Sequence, residues 1–524
     1  MTDSTTTLSG PGATAAGDSF THLLRAEWTK FRTVRGWVIA TIIAMLVTVL
    51  LGVYGGAHSQ NECPSGPCHW VLPTGPGGEA VTDTFYFVHR PLNAHGSITA
   101  EVTSLTEVAE SGLTPQGPAR TQPALVPWSK AGLIVTADPR QGSGYAAVMA
   151  TGSHGVRMQW NYTGDAAGLA GRASAASPRW LRLIRAGDVI TGYDSADGTR
   201  WTKIGAVTLP ALAPTVQAGL FATSPAYSAP TSSGISGASA SGGPTDATAT
   251  FDRVSLRGGW SGGSWAGTTV GGGSNSPYTT GSEAGYHRAD GAYIVTGSGD
   301  IAPDVSDGTP IDGSLAGMFI GLIAVVVVGA LFITAEYRRG LIRITLAASP
   351  RRGRVLAAKA IVLGGVTFLA GLIGVAGAIG LADPILRANG NTIYPVATLT
   401  EVRVIAGTAA LVAVAALFAL GVGAILRSGT GAVAVVITAI ILPYLLGAAF
   451  PVLPVGAADW LLRVTPAAGF AIKQTIPQYP QVAAGYSPFQ GYFPLEPWAG
   501  FAVLCGYAAL ALALAAFLLR RRDA

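Results

Sequence analysis

Charge is scarce in this chain of 524 residues. Asp, Glu, Lys and Arg make up 12% of it, against 49% hydrophobic residues, where a soluble domain carries about 25% charged residues. That shortage excludes an ordinary soluble fold for most of the length. The formal net charge of +5 is small for this size and gives no reason to expect a nucleic-acid partner. Lysine is rarer still: Lys30, Lys130, Lys203, Lys359 and Lys473 are the whole set, and none follows Gly and precedes Ser or Thr. The chain therefore lacks G-x-x-x-x-G-K-[ST], the loop whose backbone amides and lysine hold nucleotide phosphates. No cofactor is expected on it, and nucleotide-driven work would have to arrive from another polypeptide.

Cysteine is nearly absent, with three residues. Cys505 lies inside an apolar run. Cys63 and Cys68 sit close together just beyond the first apolar run, which suggests an oxidising compartment and a small disulfide loop. The rival reading is a metal site with His69, although ligands this crowded, with no second cluster, make a poor zinc pattern. The 70 glycines and 32 prolines show no triplet period and read as turns and linkers.

Long apolar runs are what the chain does have. A helix needs about 20 apolar residues to cross the hydrocarbon core, and six segments without an internal charge qualify: 37–54, 315–335, 360–382, 404–426, 432–450 and 498–519. The first is expected to be retained rather than cleaved, because a tail of more than 30 residues precedes it and no A-x-A site follows. Basic residues in short flanks set the orientation. One side collects Arg25, Lys30, Arg32, Arg35, Arg427, the arginines from Arg338 to Arg354, Lys359 and the terminal Arg520, Arg521 and Arg522. The short loops of the other side hold Arg387, Arg403, Arg463 and Lys473. Both termini are thus expected in the cytoplasm and the segment 57–312 outside.

The organisation read from this pattern is a cytoplasmic tail at 1–18, an amphipathic helix at 19–35 and a first span at 36–56. The extracytoplasmic segment 57–312 follows, and residues 313–524 carry spans two to six. In the amphipathic helix Phe20, Leu23, Leu24, Trp28 and Phe31 share one face while Arg25, Lys30 and Arg32 fall elsewhere, a pattern suited to the headgroup region of a bilayer. The cytoplasmic loop 336–359 is strongly basic, yet Leu341, Ile342, Ile344 and Leu346 form an apolar patch in it, and Ser349-Pro350 breaks it sharply. A short apolar and basic helix below the membrane suits docking on a partner protein.

Glu336-Tyr337-Arg338, followed by Leu341, Arg343, Leu346, Ser349-Pro350, Arg351 and Ala358-Lys359, resembles the cytoplasmic loop of ATP-binding-cassette exporter permeases of the type-two class. Residues 23–37, LLRAEWTKFRTVRGW, resemble their N-terminal connecting helix. The resemblance covers residues 19–56 and 313–524. It implies a separate ATPase subunit that carries ATP and Mg, docked through Glu336, Tyr337, Arg338, Leu341, Arg343, Leu346, Trp28 and Lys30. It also implies a homodimer or a second permease subunit, in a bacterial plasma membrane. The outer region 451–497 is similar to the short re-entrant helices of that family. The long insertion between spans one and two is a departure from its simplest members and leaves the substrate class open.

Within the insertion, two-residue alternation at 98–103 and 156–162 marks half-buried strands, and Asp197-Gly198 reads as a hairpin turn. Residues 81–256 are expected to form an all-β sandwich, with a Gly/Ser linker and small tail at 257–312. The runs 127–135, 179–185, 193–205 and 217–224 resemble concanavalin-like domains. Trp128, Trp160 and Trp201 are the candidate residues for stacking on a glycan or cell-wall ligand, against core packing as the plainer role. Glu101, Glu107 and Glu110 do not make a convincing acid pair for glycoside hydrolysis, so binding without catalysis is expected. The fold class is therefore an α-helical polytopic membrane protein with six transmembrane helices and an inserted β-sandwich. A membrane-anchored sensor or cell-wall-binding protein is the alternative to a transporter.

Overall fold

The computed structural model describes residues 20–60, 62–63, 66–67, 71–111, 120–123, 126–210, 212–234, 237–271, 284–341, 351–449, 455–482, 486, 488 and 491–521. Eight α-helices lie among them. A short α1 (Phe20–Thr33) leads directly into α2 (Arg35–His58). After the β region come α3 (Met318–Arg338), α4 (Arg352–Ala388), α5 (Thr398–Leu426), α6 (Gly429–Tyr444), α7 (Val455–Val464) and α8 (Pro497–Arg521). Six helical segments are long and apolar enough to cross a membrane: α2, α3, α4, α5, Gly429–Gly447 and α8. They coincide with the six apolar runs.

Span α5 is central and mostly buried, while α2 turns much of its surface outward. Small residues let the backbones approach. A Cβ at Gly329 of α3 would lie 2.5 Å from the carbonyl of Ala416 on α5, and one at Gly421 would press on Ala511 of α8. Close contact of this kind supplies the dispersion that associates helices in lipid, where the hydrophobic drive is missing.

The β region holds hairpin β1 (Glu62–Cys63) and β2 (Gly66–Pro67), then β3 (Val81–Asp83) and the long β4 (Phe85–Ser111). Next come β5 (Arg120–Pro123), β6 (Lys130–Thr136), β7 (Tyr145–Thr151), β8 (Val156–Trp160) and β9 (Gly164–Ala167). They are followed by β10 (Arg179–Ala186), β11 (Val189–Ser195), β12 (Thr202–Thr208) and β13 (Val216–Thr223). The last are β14 (Tyr227–Gly234), β15 (Gly237–Gly243), β16 (Thr245–Trp260), β17 (Ala266–Val270), β18 (Gly285–Ala289), β19 (Ala292–Ser298) and β20 (Ile301–Pro303).

Fourteen of these strands form one antiparallel sheet, and β4 organises it. Its first half pairs with β13 through residues 86–92, and the sheet continues outward through β6, β7, β8 and β9. Its second half pairs with β10 through residues 95–102 and continues through β11 and β12. The two wings fold toward each other, so that β12 meets β8 and β9. The result is a nearly closed barrel rather than the expected pair of separate sheets. The physical reason is that one 27-residue strand serves both wings, so the sheet is bent and never divided.

Inside, Ile98, Ala100 and Val102 of β4 meet Leu181 and Leu183 of β10 and Val148 of β7, all fully buried. The expected alternation is present, with the odd positions of β10 inward and the even ones outward. The segment 257–312, expected as linker and tail, contributes strands. There β17 pairs with β4, β18 and β19 extend the sheet from β16, and β20 pairs with β3. β14 and β15 pair with each other as a separate hairpin.

Candidate functional site

α1, the C-terminal end of α3 and the N-terminal end of α4 meet in a cluster of four charges. Lys359 Nζ donates to Glu27 Oε2 and to Glu336 Oε1, each at 2.7 Å. Lys30 Nζ reaches Glu27 Oε1 at 2.7 Å and Glu336 Oε1 at 3.0 Å. Glu27, Glu336 and Lys359 are almost fully buried. The two acids and two bases cancel, which is the condition for holding charges away from water. Burial lowers the Lys30 ammonium, but Glu27 and Glu336 outweigh it and leave its pKa above the usual lysine value. Beside the cluster, Phe31 of α1 packs on Trp37 and Phe332, and the Lys359 ammonium sits 4.8 Å from the Phe332 ring.

The expected docking residues divide in two. Glu336 and Lys30, both expected to dock the ATPase, are tied by hydrogen bonds to neighbouring helices. Trp28, Arg338 and Leu341 are exposed, at 48% for Trp28 and 44% for Leu341. Tyr337 is half-buried under the guanidinium of Arg427. Arg343 and Leu346 lie outside the described residues. Glu27 and Lys359 were absent from the expected set. The only local signal was Glu27 itself, an acid one turn before Phe31 on the face of α1 expected to be apolar. α1, tied by charge to α3 and α4, thus carries an exposed aromatic and basic surface.

A second junction joins the β domain to the opposite ends of the helices. Tyr394, in the loop between α4 and α5, donates to Asp304 Oδ1 at 3.0 Å and accepts from the amide of Gly308 at 2.9 Å. Burial and the neighbouring Asp304 raise the Tyr394 phenol well above its usual range. On the other strand of the insertion, Asn391 exchanges hydrogen bonds with Ser59. Gln481 donates to the carbonyl of Tyr162, 2.9 Å away. Ala80, Val305, Tyr394 and Ile476 close an apolar cluster around this contact. Within the expected re-entrant region, α7 precedes a buried 3-10 turn, Pro466–Lys473.

Tyr162 has a left-handed backbone, φ 62°, and its phenol donates to Asp83 at 2.6 Å. Burial raises the Asp83 carboxyl to about 6, against the opposing hydrogen bonds from Tyr162 and Gly142.

Of the candidate ligand-stacking residues, Trp128 is buried with its face covered by His154, ring centroids 3.9 Å apart. Trp160 packs against the barrel core. Trp201 alone of the three sits on the outer surface, stacked with Arg182. Cys63 lies in β1, and Cys68 is outside the described residues, as is His69. Among the described residues no cluster of His, Cys, Asp and Glu could hold a metal ion.

Six candidate spans, a charge-locked helix ahead of the first and an inserted β domain define a multi-pass membrane protein of the transporter type. A family model described as ABC-2 family transporter protein matches residues 229–524, more than half of the chain, and the chain belongs to that family. Membrane domains of this family are typically non-catalytic subunits, and membership implies an ATP-binding-cassette ATPase as partner. No curated protein matches. Among solved structures, a functionally unknown protein from Saccharomyces cerevisiae is 13% identical, covering 36% of this chain and 83% of that one at a TM-score of 0.21. A Scytalido-glutamic peptidase is 9% identical, covering 41% and 98% at 0.22. The GH43 protein BlXynB from Bacillus licheniformis is 14% identical, covering 25% and 24% at 0.16. These scores are too low to assign the β domain to a fold, concanavalin-like or other.

Proposed function

We propose that this chain is the permease subunit of an ATP-driven exporter in a bacterial plasma membrane. A separate ATPase, carrying ATP and Mg, docks on α1 and on the loop 336–359. A second copy or a second permease subunit completes the pathway, and residues 57–312 lie outside. The observation that carries this reading is the buried Glu27–Lys30–Glu336–Lys359 cluster. It fixes α1 to α3 and α4 while Trp28, Arg338 and Leu341 stay exposed. A sensor or wall anchor needs only one or two spans and no such mechanical tie.

Burying one leucine of the loop is worth roughly 1.5–3 kcal/mol, and rim charges contribute mainly orientation and rate. Replacing Leu341 and Leu346 by Asp should therefore abolish co-purification of the ATPase while leaving the protein in the membrane. Retention of both the ATPase and transport by that variant would show the loop to be a topological flank and nothing more. Protease added to intact cells should cut within 57–312 and spare 336–359; the reverse pattern inverts the topology.

A further inference from the structure

On the outward face of the wing formed by β12, β11, β10, β4 and β16, Lys203, Ser255 and Arg257 are exposed, Arg182, Tyr193, Thr191 and Ser97 are half-buried, and Thr99 is buried. Registration places the side chains of this face in rows. Lys203, Tyr193, Arg182, Thr99 and Ser255 are successive cross-strand partners. In the next row Thr191, Ile184, Ser97 and Arg257 follow one another. The opposite faces of these strands, with Ile98, Leu181, Leu183 and Ile190, fill the barrel core. Polar and basic residues on this side are thus fixed by the same pleat that buries the apolar ones.

The charges on this face are unequally compensated. Arg253 is near Glu101, 3.5 Å away, and lies over the Trp180 ring. Arg182 has no carboxylate partner among the described residues. Its Nε donates to the Thr99 hydroxyl, its plane stacks 3.8 Å from the centre of the Trp201 ring, and its two terminal nitrogens have no acceptor among the described residues. Arg257 is exposed and has no ion-pair partner among those residues. The two guanidinium groups repel each other: partial burial and then the charge of Arg257 hold the Arg182 pKa below the usual arginine value. Packing against Trp201 and bonding to Thr99 keep the Arg182 fork fixed in this position, where its free edge can take an oxyanion in bidentate fashion.

We propose that this face binds an anionic polysaccharide. Carboxylate or phosphate groups would pair with Arg182, Arg257 and Lys203, and sugar hydroxyls with Thr191, Ser97 and Ser255. Tyr193 and the edge of Trp201 would border the sugar rings. The complementarity is of charge, and hydroxyl partners alternate with the cations at strand spacing, about 4.8 Å, which a ring-bearing polymer can follow and a point anion cannot use. The inference goes beyond export. It rests on the extracytoplasmic placement of the β domain only for where the ligand is met.

The test uses the full-length protein, purified in detergent, with polygalacturonate as anionic probe, dextran as neutral probe and polyphosphate as an anion without sugar rings. Polygalacturonate should bind and dextran should not, with polyphosphate at least tenfold weaker than polygalacturonate. Arg182→Gln and Arg257→Gln should each weaken polygalacturonate binding about tenfold or more, and Arg257→Lys should recover part of it. Arg257 is exposed, so its variants keep the fold even if Arg182→Gln does not. Absence of polygalacturonate binding, indifference to Arg257→Gln, or equally strong binding of polyphosphate would each overturn the proposal, the last by reducing the face to simple ion exchange. ATPase co-purification does not depend on this face, so failure here leaves the transport reading standing.

Discussion

Lys359 Nζ lies 2.7 Å from Glu27 Oε2, across 332 residues of sequence. The pair is almost fully excluded from solvent and ties α1 to span α4. Removing one partner strands the other charge, which costs about 3–5 kcal/mol where a buried pair is broken. Lys359→Met should therefore lower the thermal stability of the detergent-solubilised protein and release α1, seen as faster hydrogen exchange over residues 20–33. Combining it with Glu27→Gln restores the charge balance and should recover most of the loss. Equal damage from the single and double variants would rule out the ionic tie.

The Asp83 carboxyl sets a pH dependence in the β domain. Its folded pKa is raised from 3.8 to about 6, by burial first. A raised carboxyl pKa means that ionisation costs stability in the folded state. The contribution is fully present below the unfolded value near 4 and is lost as pH rises through about 6, amounting to about 3 kcal/mol. Asp83→Asn keeps an acceptor for the Tyr162 hydroxyl and the Gly142 amide. It should melt at a higher temperature than wild type at pH 7.5, and the gap should close toward pH 4. A gap independent of pH would place the effect elsewhere.

Tyr394→Phe removes both hydrogen bonds of the phenol at the junction with the β domain, leaving the Gly308 amide without its partner. The expected loss is about 1–3 kcal/mol, confined to the contact. Hydrogen exchange should quicken at residues 304–309 and stay unchanged in β6 and β7. Unaltered exchange at 304–309 would mean that the apolar cluster of Ala80, Val305 and Ile476 holds the junction alone.

The spans could be read because each is an uninterrupted apolar run, a signal that depends on nearby residues only. The same holds for the alternation at 98–103 and in β10. Glu27 and Lys359 could not be paired from sequence, since nothing local to either names the other. Lys359 had a sufficient explanation as a cytoplasmic positive charge. β4 runs without a break through Pro91 and Gly96, residue types that ordinarily punctuate a strand. Closure of the barrel and docking of Tyr162 on Gln481 are likewise contacts between distant segments. Trp128 and Trp160 read alike in sequence as aromatic residues of strands or turns; only the packing shows their faces occupied.

The insertion leaves and re-enters the membrane domain beside the same loop, through Ser59 on Asn391 and Asp304 on Tyr394. A head carried on a free stalk would sweep a hemisphere and could catch a polymer many nanometres away. This one is seated at both ends. On the proposed topology, any ligand of this domain would have to lie against the outer leaflet already, or be emerging from the helices beneath it.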